Sequence, residues 1–202
     1  MRILGIIPAR YASTRFPAKA LADIGGKSMI QRVYEQASKA IKLDEVIVAT
    51  DHLDIAAAVK AFNGKYCMTQ EEHQSGTDRC YEVLQKVERP DYVIYIQGDE
   101  PFIDPAQIDQ LVELIIHDPH KGIGTLIQPI TDAERIFDPN SVKVVTETDG
   151  YALYFSRSPI PFVRKEADRD KWLEHHPFYK HIGIYGFSTE AIQKIKAMPP
   201  AS

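Results

Sequence analysis

The chain has 202 residues, 44% hydrophobic and 26% charged, enough to bury one good core and a small subdomain. Its formal net charge of −4 gives no general reason to expect nucleic acid or an anionic membrane as partner, and no apolar stretch approaches the roughly 20 residues of a membrane helix. The two cysteines, Cys67 and Cys80, form no CxxC spacing, and Met1–Gly5 runs straight into a strand-like segment without a signal-peptide pattern, so a reduced, cytoplasmic setting is expected.

Taken in chain order, Ile3–Ala9, Glu45–Thr50 and Asp91–Gln97 are continuous apolar runs suited to strands covered on both faces. Between them Met29, Ile30, Val33, Tyr34, Ala37 and Ile41 recur at helical spacing, as do Ile55, Val59 and Phe62, then Cys80, Val83, Leu84 and Val87. Asp104 followed by Pro105, with Gln107 three residues on, marks the start of a further helix through Ile108–Ile116. Strand alternating with helix predicts a doubly wound, mostly parallel sheet with helices on both faces, whose ligands sit beyond the carboxyl ends of the strands. Beyond Gly122 the texture changes. GIGTLIQPI, VKVVTE, YALYFS and HIGIYGF are strand-like, a turn at Thr148–Gly150 predicts a hairpin, and only Glu190–Lys196 reads as clearly helical. This half extends the sheet and makes it mixed. A single domain over 1–202 is expected, with 1–121 as one half and 122–202 as the other.

The loop after the first run, Pro8–Lys19, carries Arg10, Arg15 and Lys19 among small residues and no acid. A triphosphate needs this combination, because small side chains let backbone N–H groups approach, Arg can bind bidentately and Lys adds a point charge. Gly26-Lys27-Ser28 does not complete a Walker A motif, since Leu21 stands where its first glycine belongs, and no GxGxxG follows Ile3–Ile7. Gln97-Gly98-Asp99-Glu100 places carboxylates on the same predicted sheet edge, where Asp99 can hold Mg²⁺ against phosphate oxygens. His73–Arg79 opens a helix. Its Ser75 and Gly76 offer groups for a nucleobase edge or, equally, a helix cap. In the second half, Phe155–Arg164 and Lys180–Phe187 place cations and hydrogen-bonding aromatics beside strand ends, as a small acidic sugar requires, with Arg157 and Arg164 otherwise readable as surface charges. Zinc-ligand spacing is absent, and no Ser-His-Asp set can be picked out.

The segments IIPARYASTRFPAKAL at 6–21, HQSGTDR at 73–79, IQGDEPFI at 96–103, YFSRSPIPF at 154–162 and HIGIYGF at 181–187 resemble the 3-deoxy-manno-octulosonate cytidylyltransferase family over almost the whole chain. The resemblance implies a Rossmann-like fold of the nucleotide-diphospho-sugar transferase type and a Mg²⁺-dependent reaction of CTP with 3-deoxy-manno-octulosonate (Kdo). The products would be CMP-Kdo, for lipopolysaccharide assembly, and pyrophosphate, and the enzyme a cytosolic homodimer. It places Arg10, Ser13, Arg15 and Lys19 on the triphosphate and Pro8 and Ala9 near the base. Ser75 and Gly76 would complete the cytosine pocket, with Gln97 near both nucleotide and sugar. Asp99 would bind the metal, with Arg157, Arg164, His181 and Tyr185 lining the Kdo site. The family pattern normally continues past Pro199-Pro200 with a further strand, a helix and a second metal-binding aspartate, so whether the 202 residues complete the metal site and the dimer depends on that continuation. Two rivals stand beside this reading: a cytidylyltransferase for another acidic sugar such as a sialic acid, and a nucleotide-binding protein that has lost turnover.

Overall fold

The computed structural model describes residues 1–12, 16–73, 75–118 and 122–199, which fall into two compact units. Residues 1–124 and 184–202 form the first, and residues 125–183 the second.

In the first unit the apolar runs become parallel strands β1 (Ile3–Ala9), β2 (Glu45–Thr50), β3 (Tyr66–Met68) and β4 (Tyr92–Tyr95). Residues 185–188 of β8 (Tyr179–Ser188) pair antiparallel with β4, so the order is β3-β2-β1-β4-β8. Both faces are covered. Leu4, Ile6, Ala49 and Val93 pack with Cys80, Val83 and Leu84 of α3 (Gly76–Leu84) and Ile192 of α7 (Thr189–Ala197). On the opposite face, Gly186 lies against Ile115 of α4 (Pro105–His117) and Ile94. Helices α1 (Met29–Ala37) and α2 (Leu53–Ala61) bury Ile30, Val33, Ile55 and Val59. Ser28 caps α1 by accepting from the Gln31 N–H, and Asp104, just before Pro105, caps α4 as its sequence signature predicts, accepting from the Ala106 N–H.

Parallel register decides where loops emerge. Ala9 lies opposite Thr50, and Ile6 opposite Tyr95, so the carboxyl ends of β1, β2 and β4 share one edge. There the backbones come close: a Cβ at Gly98 would sit 2.7 Å from the Pro8 carbonyl oxygen, a position only glycine fills without displacement.

In the second unit, β6 (Lys143–Thr146) and β7 (Ala152–Ser156) form the expected hairpin, and β6 also pairs with residues 179–180 of β8. Strand β5 (Ile123–Pro129) pairs β8. Two helices escaped the sequence reading: α5 (Glu134–Phe137) and α6 (Trp172–His175), each of 4 residues. Four residues are too few to display a 3.6-residue period. They nonetheless supply Ile136 and Trp172 to a small core with Ile130 and Phe178. Among the described residues no helix is long and apolar enough to cross a membrane.

Candidate nucleotide and metal site

At the shared strand edge of the first unit is a cleft of about 420 Å³ lined by Pro8, Ala9, Arg10, Phe16, Lys19, Ala20, Tyr95, Gln97, Gly98 and Asp99. Six residues singled out in the sequence, Pro8, Ala9, Arg10, Lys19, Gln97 and Asp99, therefore meet in one place, although Lys19 and Asp99 are 80 positions apart. Ser13 and Arg15 lie outside the described residues.

The Lys19 ammonium donates to Asp99 at 2.7 Å, with the side chains 40% and 45% exposed. A pair this open contributes about 0–1 kcal/mol. It is cheaply exchanged, so the ammonium is available to a phosphate and the carboxylate to a cation. Among the described residues no group of three or more His, Cys, Asp or Glu side chains gathers to hold a metal. One accessible carboxylate fits Mg²⁺ nonetheless, because that ion completes its shell with phosphate oxygens and water rather than a protein cage.

Tyr95 was not anticipated. It alternates with buried Ile94 and Ile96 on β4 and its continuation, which turns its ring toward the α3 face and into the cleft lining. Burial, reinforced by the nearby Cys80, Asp99 and Tyr185, pushes its hydroxyl up to about 12, so it keeps its proton at neutral pH. Gly76 lies directly against this ring: a Cβ there would stand 2.5 Å from it. The Ser75 hydroxyl is engaged in capping α3, accepting from the Asp78 N–H at 3.1 Å and donating to the Asp78 carboxylate at 2.7 Å. What it can offer a base edge is its backbone. Tyr185, opposite Tyr95 in the β4–β8 register, has its ring centroid 6.2 Å from that of Tyr95.

Around the start of the phosphate loop is a second group that sequence reading passed over. Asp51 accepts from the Tyr11 N–H at 3.2 Å and from the Arg79 guanidinium at 2.8 Å, and Arg79 also donates to the Thr69 hydroxyl. A signal existed: Arg79 stands one i,i+4 step before Val83 on the apolar face of α3, where an arginine must be paired.

The remaining sugar candidates belong to the second unit. Arg157 is exposed and donates to the Pro139 carbonyl at 2.9 Å. The buried Lys143 ammonium donates to the Asp138 and Ser141 carbonyls at 2.8 and 2.6 Å, and burial pushes its pKa down. Two cations thus hold one turn. Arg164 is exposed. The His181 Nε2 lies 2.8 Å from the Thr125 hydroxyl, its ring edge-on to Phe155. Burial pushes its pKa down, so the imidazole is neutral at pH 7.

The cytidylyltransferase family profile matches residues 4–202. The chain is 53% identical to 3-deoxy-manno-octulosonate cytidylyltransferase of Bacteroides thetaiotaomicron, over 100% of this chain and 81% of that protein. It is 46% identical to the enzyme of that name from Geobacter sulfurreducens, over 100% and 82%. A solved structure of CMP:2-keto-3-deoxy-manno-octonic acid synthetase complexed with CTP superposes with a TM-score of 0.91 at 43% identity, covering 100% of this chain and 80% of that one. A 4-diphosphocytidyl-2C-methyl-D-erythritol synthase from Anaerococcus prevotii, at 13% identity and a TM-score of 0.60, shares the fold alone. The chain belongs to the 3-deoxy-manno-octulosonate cytidylyltransferase family.

Proposed function

We propose that this chain transfers CMP from CTP to Kdo, forming CMP-Kdo for lipopolysaccharide biosynthesis and releasing pyrophosphate. The observation that carries the proposal is the meeting of Arg10, Lys19 and Asp99 in one cleft at the carboxyl ends of β1 and β4, in a chain of this family. The cations take the β- and γ-phosphates, with Ser13 and Arg15 of the same loop. Pro8, Ala9, Ser75 and Gly76 present backbone to the cytosine. Gln97 serves nucleotide and sugar, and the Kdo carboxylate and hydroxyls fall to Arg157, Arg164, His181 and Tyr185. Because His181 is neutral, the arginines carry the charge recognition of the carboxylate, and His181 orients a hydroxyl.

The anomeric hydroxyl of Kdo attacks the α-phosphorus in line. The new O–P bond forms as the bond to pyrophosphate breaks, and the hydroxyl proton is released. Arg10 and Lys19 stabilise the negative charge that grows on the leaving pyrophosphate. Asp99 would hold Mg²⁺, which when bound neutralises phosphate charge and fixes the triphosphate. Lys19, whose exposed pair with Asp99 is cheaply exchanged, would turn its charge to the phosphates.

The test is pyrophosphate release with CTP, UTP, ATP and GTP against Kdo and sialic acid, with and without Mg²⁺, for the parent chain and Lys19→Ala. Turnover confined to CTP, Kdo and Mg²⁺, with Lys19→Ala losing roughly 1.5–3 kcal/mol of CTP binding, is expected. Preference for sialic acid would transfer the chain to the rival sugar, and CTP binding without any turnover would leave a binding protein. We place the enzyme in the cytoplasm as a homodimer. The exposed Leu153, Tyr154 and Phe155 of β7 are the surface that supports self-association, and sedimentation of the chain as a monomer at micromolar concentration would remove it.

A further inference from the structure

A buried ion pair is an odd investment beside an open nucleotide site. The Asp51 and Arg79 side chains are 7% and 4% exposed, and desolvating two charges usually leaves such a pair no more stabilising than a packed apolar one. What apolar residues cannot do is direct hydrogen bonds in two directions at once. Asp51 directs one carboxylate oxygen to the Tyr11 N–H and the other to Arg79.

Tyr11 is the point on which the phosphate loop closes. Its carbonyl accepts from the Ala18 N–H at 3.0 Å, and its ring stacks on His52 with centroids 3.8 Å apart and planes 17° from parallel. Ala18 has φ 55°, a left-handed conformation disfavoured for alanine that persists where surroundings impose it. Lys19 follows immediately. At the other end, Arg79 is in the first turns of α3, its N–H bonded to the Ser75 carbonyl, so the same pair grips the segment holding Ser75 and Gly76.

We propose that the Asp51–Arg79 pair, with the Tyr11–His52 stack, is a positioning device that fixes the described ends of the phosphate loop, Tyr11 and Ala18–Lys19, for nucleotide binding and locks them to the amino end of α3. The proposal rests on the CTP reading above. None of the four residues lines the cleft. They act through Tyr11 and Ala18 on Lys19, and through α3 on Ser75 and Gly76, so triphosphate and base recognition are set by one unit.

The experiment compares the full chain with Asp51→Leu/Arg79→Met, which swaps the pair for apolar side chains without leaving a buried charge. It also compares His52→Asn with His52→Phe. Asparagine keeps a cap for α2, where His52 now accepts from the Asp54 N–H, but removes the stack; phenylalanine keeps the stack. Thermal midpoint, calorimetric CTP Kd, and KM for CTP and for Kdo are read for each. The double variant is expected to melt within a few degrees of the parent, to raise the CTP Kd and KM tenfold or more, and to leave the KM for Kdo within twofold. His52→Asn should raise the CTP Kd three- to tenfold and His52→Phe restore it to within twofold. A folded double variant with a CTP Kd within threefold of the parent overturns the proposal. So does equal impairment by asparagine and phenylalanine, which decides the matter if the double variant fails to fold. If the parent itself does not bind CTP, the functional reading fails instead, and the device is judged by amide exchange. The Ala18 N–H should then lose protection in His52→Asn and keep it in His52→Phe; unchanged protection in both sinks it.

Discussion

Strands β1 and β7 are both apolar in sequence, yet they have opposite fates. In the first unit, Ile3–Ile7 of β1 are buried without exception. In the second, four of the five residues of β7 are exposed, with Leu153 at 59% and Tyr154 at 64%. An apolar run announces a strand; the neighbouring elements decide whether it is covered. The contrast extends to function. The cleft residues stand on a frame fixed from both faces, whereas Arg157 and Arg164 stand on exposed ground. Substitutions in the first unit should therefore act through chemistry or through the frame, and those in the second locally.

The largest effect should come from Asp99→Asn. It is isosteric, but an amide cannot match the carboxylate's charge on the metal, so turnover should fall roughly 10²-fold or more while the melting temperature is kept and CTP affinity falls less. A variant with parent-like turnover would detach the chemistry from this strand edge. Gly98→Ala tests the frame instead. With its Cβ 2.7 Å from the Pro8 carbonyl oxygen, β1 and the β4 extension must part, at a cost of about 1–3 kcal/mol of stability, together with weaker CTP binding. Unaltered denaturation and titration curves would show that the close approach is dispensable.

Arg157→Ala should raise the KM for Kdo about ten- to a hundredfold, as expected for a lost charge-assisted contact of roughly 1.5–3 kcal/mol, with CTP affinity unchanged. Loss of CTP binding with Kdo unaffected would reverse the roles given to the two units. The smallest effect concerns pH. Partial burial pushes the Glu82 carboxyl up, but hydrogen bonds from Lys86, the Gln70 N–H and His73 outweigh it and bring the pKa from 4.5 to about 2. A depressed carboxylate adds stability that is present above its unfolded pKa and lost as pH falls toward its folded one. Acid unfolding curves should thus lose stability between about pH 4.5 and 2, and Glu82→Gln should flatten that limb; an unchanged limb would place the titrating group elsewhere.

What was legible in the sequence follows from the same physics. Strands β1, β2 and β4 and helices α1 to α4 were readable because local period and end signals agree. The meeting of Lys19 and Asp99 followed from parallel topology. The Asp51–Arg79 pair was not readable as a pair, because its partners are 28 positions apart and only the packing of α3 on β2 joins them. Ser75 carried two meanings, cap and base contact. The structure shows the cap, since hydroxyl geometry is local, while contact with a base depends on a ligand. In the second unit, α5 and α6 hid behind their brevity, and their Ile136 and Trp172 gave no periodic sign of the core they build.

Cys80 has a practical consequence. It is fully buried in the core between β1, β2 and α3, and burial holds its thiol far from ionisation. A thiol reagent that needs thiolate and access can reach it only when that core opens. The slow phase of thiol modification, after the half-buried Cys67 has reacted, therefore clocks the opening of the first unit. CTP should lengthen that clock by mass action, turning an inert side chain into a gauge of ligand occupancy.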